Sequence, residues 1–205
     1  MLLISGSPRS RGNTDTILAE VAKRLEELGH TATFAALRDY AVHGCTGCER
    51  CRRDKTCSEF LDGMHLLYPL IESSAGLVLG SPTYNYNITP EMKAFIDRLY
   101  PFFEFAKERP GPYTSRLAGQ GRCLVVVGIS EQVEESEMGF TLPAMREPLR
   151  ALGYEPVCDI AARGHFVRTS VRGDERVFEE ARAGAETLAA ALSKSPPPGQ
   201  KAEKT

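Results

Sequence analysis

The chain opens with an apolar run, Met1-Leu2-Leu3-Ile4, that breaks at once into Ser5-Gly6-Ser7-Pro8-Arg9-Ser10-Arg11-Gly12-Asn13-Thr14 and then into a periodic helix. A strand that feeds a polar loop and a helix start is the opening of a parallel α/β fold, and it also makes an anion cradle. Hydroxyls come from Ser5, Ser7, Ser10 and Thr14, an amide from Asn13 and guanidiniums from Arg9 and Arg11, with unpaired helix N-terminal N–H groups behind them. A phosphorylated ligand is the expectation. The same Ser, Pro, Gly and Asn are also ordinary turn formers, which is the plainer reading of the loop. Two nucleotide motifs are excluded: Gly12 is followed by Asn13 rather than by Lys and a hydroxyl residue, and residue 8 is proline where a dinucleotide fingerprint needs glycine.

The strand–loop–helix pattern then recurs. Ile17, Leu18, Val21, Leu25 and Leu28 fall at helical spacing, with Asn13 or Thr14 as the predicted cap and Gly29 as the terminator. A strand is predicted near 31–37 and a helix near 62–72. Ala75 to Gly80 reads as a fully buried strand, and it ends in the loop Ser81-Pro82-Thr83-Tyr84-Asn85-Tyr86-Asn87-Ile88. Thr89-Pro90-Glu91 starts another helix with a capping hydroxyl, proline at the first position and an early acid. Cys123 to Gly128 is a fourth buried strand, a helix follows near 142–152, a fifth strand near 156–161 and a last helix near 174–192. Strands alternating with helices predict a flavodoxin-like three-layer α/β sandwich with a five-stranded parallel sheet in the order 2-1-3-4-5. At 205 residues and 42% hydrophobic, one such domain is expected over 1–194, carrying a cysteine-rich insert at 43–60 and a disordered tail at 195–205.

In such sheets ligands sit at the carboxyl ends of the strands where the order reverses, between the first and third strands. The loops 5–14 and 81–88 converge there. The first suits a phosphate, and the second suits a flat ring, with backbone groups for its polar edge and Tyr84 or Tyr86 for its face. FMN meets both requirements. Thr83, Tyr84 and Asn85 also read as turn residues, and either tyrosine as an oligomer contact.

The net charge is −2 with both signs scattered, so no electrostatic footprint for nucleic acid or an anionic membrane exists. The N-terminus carries no charged region leading into a long apolar stretch, and a cytoplasmic location is expected. Four of the six cysteines crowd into Cys45-x2-Cys48-x2-Cys51-x5-Cys57, a run flanked by Arg50, Arg52, Arg53 and Lys55. Four thiolates this close suit one [4Fe-4S] cubane, and nearby cations would lower thiol pKa values and offset the cluster's charge. Tetrahedral zinc and a set of free thiols are the alternatives, and the uniform spacing of the first three cysteines favours the cubane over zinc. Cys123 and Cys158 lie in apolar strands and read as core residues.

Four features together, GSPRSRGNT, CTGCERCRRDKTC, GSPTYNYNITPEMKAFIDR and the strand–helix alternation, resemble the iron–sulfur flavoprotein branch of the NAD(P)H-dependent FMN reductases. The likeness is clear over about residues 1–100. It implies FMN, a [4Fe-4S] cluster on Cys45, Cys48, Cys51 and Cys57, and a homodimer or homotetramer. By that resemblance Ser7, Arg9, Asn13 and Thr14, around Gly12, would contact the FMN phosphate, and Pro82, Thr83, Tyr84 and Asn85 would line the isoalloxazine. The loop after Gly128, with Ile129 and Ser130, joins residues 82–86 as a source of hydrogen bonds near the flavin. The chain departs from the family at Leu61-Asp62-Gly63-Met64, where paired acids are frequent, and at the bulkier turn Asn85-Tyr86-Asn87.

The expected function is an FMN-dependent oxidoreductase that passes electrons through the cluster and FMN to a small-molecule acceptor, with NAD(P)H as co-substrate or ferredoxin as donor. The alternatives are a cluster-free NAD(P)H-dependent reductase of flavins, quinones or nitro compounds, and a non-catalytic carrier or redox sensor. No general base is expected: His30 ends a helix, His43 adjoins the cysteines, and His65 and His165 read as surface or core residues. The long connection 101–121, with Phe102, Phe103, Phe105 and Tyr113, predicts an oligomer contact or a cover over the flavin.

Overall fold

The structure is a computed structural model that describes residues 1–194, and the tail expected at 195–205 lies outside the described residues. Its elements are β1 (Leu2–Ser5), α1 (Asn13–Glu27), β2 (Thr33–Ala36), α2 (Cys51–Asp54), α3 (Met64–Ser73), β3 (Gly76–Pro82), α4 (Pro90–Asp97), β4 (Phe103–Phe105), β5 (Tyr113–Ser115), β6 (Cys123–Ile129), α5 (Thr141–Ala151), β7 (Glu155–Ala162) and α6 (Glu175–Ser193). The runs of branched apolar residues in β3 and β6 are buried on both faces, as central strands of a parallel sheet must be. The sheet order is β2-β1-β3-β6-β7, every pair parallel. Counted within the sheet, this is the expected order 2-1-3-4-5.

Side-chain alternation along the strands divides the core into two layers. Leu2, Ile4, Leu77, Leu79, Leu124 and Val126 face α3, α4 and α5. Leu3, Val78, Val125, Val127 and Ile160 face α1 and α6. Helix ends follow the local chemistry. Thr89 Oγ1 accepts the Met92 N–H at 3.2 Å, with Pro90 at the first helical position. Gly29, at φ +84°, ends α1 in a Schellman pattern, its N–H on the Glu26 carbonyl and that of His30 on the Leu25 carbonyl.

The cap of α1 differs from expectation. Gly12 occupies that position and no side chain caps the helix. Asn13 and Asp15 are engaged elsewhere, as the site shows. The connection 101–121 forms the antiparallel β4–β5 hairpin, whose Tyr100, Phe103, Phe105 and Tyr113 rings pack together with centroids 4.8–6.3 Å apart. Among the described residues no helix is long and apolar enough to cross a membrane.

Candidate functional site

The first loop is held from within by Asp15. Its carboxylate accepts Ser5 Oγ at 2.6 Å and the Arg11 N–H at 2.7 Å, and it pairs with Arg38 at 2.8 Å. Arg38 also donates to the Ser7 carbonyl at 3.0 Å. Thr89, the cap of α4, donates through Oγ1 to the Gly6 carbonyl at 2.7 Å, which ties the first loop to the one after β3. Gly6 permits this approach, because a Cβ there would lie 2.8 Å from Met92 Cβ.

The loop after β3 folds into a tight turn. Tyr84 and Asn87 exchange backbone hydrogen bonds at 2.7 and 3.1 Å, with Asn85 and Tyr86 both at positive φ. Thr83 accepts a hydrogen bond from Thr141 Oγ1 at 2.9 Å, and its N–H donates to the Ile129 carbonyl at 2.6 Å. Two backbone donors offered by the sequence to a ring edge, those of Thr83 and Tyr84, are therefore already used.

Together these loops enclose a cavity of about 300 Å³ at the carboxyl ends of β1, β3 and β6. Ser7, Arg9, Gly12, Asn13, Thr14, Pro82, Thr83, Tyr84, Asn85 and Ile129 all line it. Ser130 does not. It is buried and joins the loops after β6 and β7, its N–H on the Ala162 carbonyl and its carbonyl accepting from His165 N, both at 2.9 Å. The Asn13 amide donates to the His165 and Val167 carbonyls, at 3.3 and 3.0 Å, rather than being free for an anion.

The loop after β7 supplies a wall that the sequence reading missed: His165, Phe166 and Arg168, joined by Glu131. Arg9 donates to the Phe166 carbonyl at 3.2 Å and sits over its ring, while Arg168 donates to the Ser10 carbonyl. His165 is fixed rather than mobile, with Nδ1 3.3 Å from Ser170 Oγ and Nε2 3.2 Å from Asp174. The signal was present in Gly164-His165-Phe166-Val167-Arg168, a polar stretch after a predicted strand and thus at the same edge of the sheet.

A second cavity, of about 160 Å³, is bordered by Cys45, Cys48, Cys51 and Cys57 with Phe60, Tyr68, Arg98 and Tyr100. All four thiols are free. The predicted lowering of thiol pKa is not what Cys51 shows: burial and then the neighbouring Cys45, Cys57 and Cys48 thiolates push it up. The flanking cations are spoken for, Arg50 by Glu59, Arg52 by Glu49, Arg53 by Asp54 and Lys55 by Glu104. Among the described residues no three His, Cys, Asp or Glu side chains are grouped to hold a metal ion. The β4–β5 hairpin packs on this segment, Arg52 lying 5.3 Å over the Phe105 ring, and none of its residues lines the first cavity. Cys123 is buried as expected, whereas Cys158 is only half-buried, and burial raises the pKa of both.

Comparison with known proteins places this architecture. An iron–sulfur flavoprotein of Archaeoglobus fulgidus is 32% identical over 191 residues, covering 93% of this chain and 80% of that protein. A second iron–sulfur flavoprotein of the same organism is 36% identical over 95 residues, 46% of this chain and 48% of the relative. The crystal structure of an FMN-dependent NADH-azoreductase from Bacillus anthracis, in complex with FMN, shares the fold at TM-score 0.68 and 16% identity over 92% of this chain and 98% of that one. Residues 1–130 match the family described as NADPH-dependent FMN reductase. With the parallel sheet and the loops at its carboxyl edge, these matches establish that the chain belongs to the NADPH-dependent FMN reductase family and is a flavoprotein oxidoreductase.

Proposed function

We propose that the larger cavity holds FMN and the cysteine cavity a [4Fe-4S] cluster, within one domain spanning 1–194. The observation that carries the FMN assignment is the meeting of the loops after β1, β3 and β6 at one cavity, bordered by Ser7, Arg9 and Asn13 on one side and by Thr83, Tyr84 and Ile129 on the other. The residues present fit the cofactor. Arg9 and Arg168 border the cavity beside the uncapped N-terminus of α1, a combination suited to a phosphate. Tyr84, 40% exposed, has a ring face to offer to the isoalloxazine.

The thiols fit a multi-atom group. All four border a single cavity, as ligands of one shared group would. The names of the relatives support the same assignment.

When bound, FMN supplies hydride and single-electron transfer and the cluster single-electron transfer. The chain's own part is positional. Asp15 and Arg38 fix the phosphate loop, Thr141 and Ile129 fix Thr83, and Asp174 with Ser170 fixes the His165 wall. His165 has both ring nitrogens committed and serves as a strut rather than as a general acid or base.

In this reading electrons from NAD(P)H or ferredoxin reach a small acceptor in a homodimer or homotetramer. The second reading, a cluster-free NAD(P)H-dependent reductase, is favoured by the family's name. The phosphate cradle is tested by titrating apo-protein with FMN and with riboflavin. FMN binds at least about a hundredfold more tightly if the cradle holds the phosphate, a difference of about 2.8 kcal/mol. Equal affinities contradict it.

A further inference from the structure

One wall of the cysteine cavity is a buried cation. Arg98 follows the last turn of α4, is 2% exposed and borders the cavity alongside Phe60 and Tyr68. The end of its guanidinium is held by Asp62 and His43. Nη1 and Nη2 donate to the two oxygens of Asp62 at 2.8 and 3.0 Å, and Nη1 donates also to the His43 carbonyl at 2.8 Å. Its Cζ lies 5.3 Å from the centroid of the Phe60 ring. Two donors remain, the second N–H of Nη2 and the Nε–H, and the buried Nε makes no hydrogen bond among the described residues.

Buried polar groups are almost always hydrogen-bonded, and donors on cations make the strongest such bonds. An orphaned N–H on a fixed, buried guanidinium beside four thiols therefore marks an acceptor that belongs in the cavity. Resting on the cluster reading above, we propose that Arg98 Nε–H donates to a sulfur of the iron–sulfur group held by the four cysteines and raises its reduction potential.

The direction follows from charge. Reduction adds one electron and no proton to the thiolate-ligated group, so its sulfurs become better acceptors. A donor fixed against them stabilises the reduced form more than the oxidised one. Asp62 offsets the guanidinium charge at a distance but leaves the Nε–H edge free.

The test uses the full chain, reconstituted anaerobically with iron and sulfide and loaded with FMN. Wild type, Arg98→Lys and the double variant Arg98→Gln with Asp62→Asn are titrated with reductant and followed by absorbance and low-temperature EPR. The lysine variant keeps a cation for Asp62 without the Nε–H. The double variant leaves neither partner as an unpaired charge, so it folds even where the single change does not. Both are expected to retain wild-type iron and sulfide and to move the cluster midpoint negative. A tenfold change in the reduction equilibrium, about 59 mV for one electron, is the size looked for. The FMN midpoint, read in the same titration, stays in place, which a general loosening of the protein would not allow. Equal cluster midpoints in all three proteins at equal iron content overturn the proposal and leave the cluster reading intact. Failure of wild type to take up iron and sulfide removes the cluster reading itself, and with it the role of Arg98.

Discussion

Asp15 and Arg38 meet across the first crossover, Arg38 Nη2 donating to Asp15 Oδ2 at 2.8 Å, with both side chains largely buried at 11% and 17% exposure. The pair anchors a loop that would otherwise rest on turn propensity alone. Asp15 sits in the first turn of α1 and collects donors from Ser5 and from Arg11 N, while Arg38 lies just beyond β2 and reaches the Ser7 carbonyl. Asp15 is thus the hub of the loop after β1.

Asp15→Asn keeps the shape of the side chain and removes its charge. Hydrogen bonds to charged groups contribute about 1.5–3 kcal/mol each, so a stability loss of about 2 kcal/mol is expected in denaturant unfolding. FMN affinity should fall roughly tenfold or more as the loop loosens. Riboflavin affinity, which does not depend on the phosphate loop, should change little in the same titration.

Tyr84→Ala tests the ring-facing turn. Aromatic contacts contribute about 0.5–1.5 kcal/mol beyond area, so FMN binding weakens by roughly three- to tenfold while the fold, read by circular dichroism, is retained. Tyr86→Ala serves as comparison. Tyr86 is 51% exposed and does not border the cavity, so it should leave FMN affinity at the wild-type value.

Much of this was legible beforehand. The five strands of the sheet, the Thr89-Pro90 helix start and the Gly29 terminator follow from local rules that tertiary contacts did not override. The α1 cap was misplaced because Asn13, a good cap by type, is captured by carbonyls about 150 residues away in the loop after β7. That long-range capture also explains why His165, Phe166 and Arg168 were missed. No spacing in the sequence reports that a loop leaving the edge strand β7 folds back to the N-terminus of α1. Similarly, Arg50, Arg52, Arg53 and Lys55 read as cations beside the thiols, but they have acids of their own, such as Glu59 for Arg50 and Glu104 for Lys55.

Acid stability should report on Asp62. Burial alone would raise its pKa, but Arg98 and the N–H groups of His43 and Met64 outweigh it and hold the carboxyl well below the usual carboxylate range. Because the folded value lies below the unfolded one, about 3.9, the stabilisation is fully present above that pH and is lost as pH falls through the lower folded value. Asp62→Asn should cost about 3 kcal/mol at neutral pH by leaving Arg98 unpaired, and the difference from wild type should shrink below about pH 4. Urea midpoints between pH 2 and 7 check both statements. A difference that stays constant with pH refutes the assignment.

The two cavities share no lining residue. Cys51→Ala is therefore expected to abolish iron retention and leave the FMN dissociation constant unchanged. Parallel loss of flavin would show that the two sites are not independent.

The central claim, a flavin site and a cluster site in one chain, is met most directly by anaerobic purification followed by iron, acid-labile sulfide and FMN analysis per chain. One FMN with about four irons and about four sulfides per chain is expected, the composition of a cubane on four thiolates. Flavin without iron or sulfide contradicts the cluster half of the claim, and a chain that binds neither contradicts the whole of it.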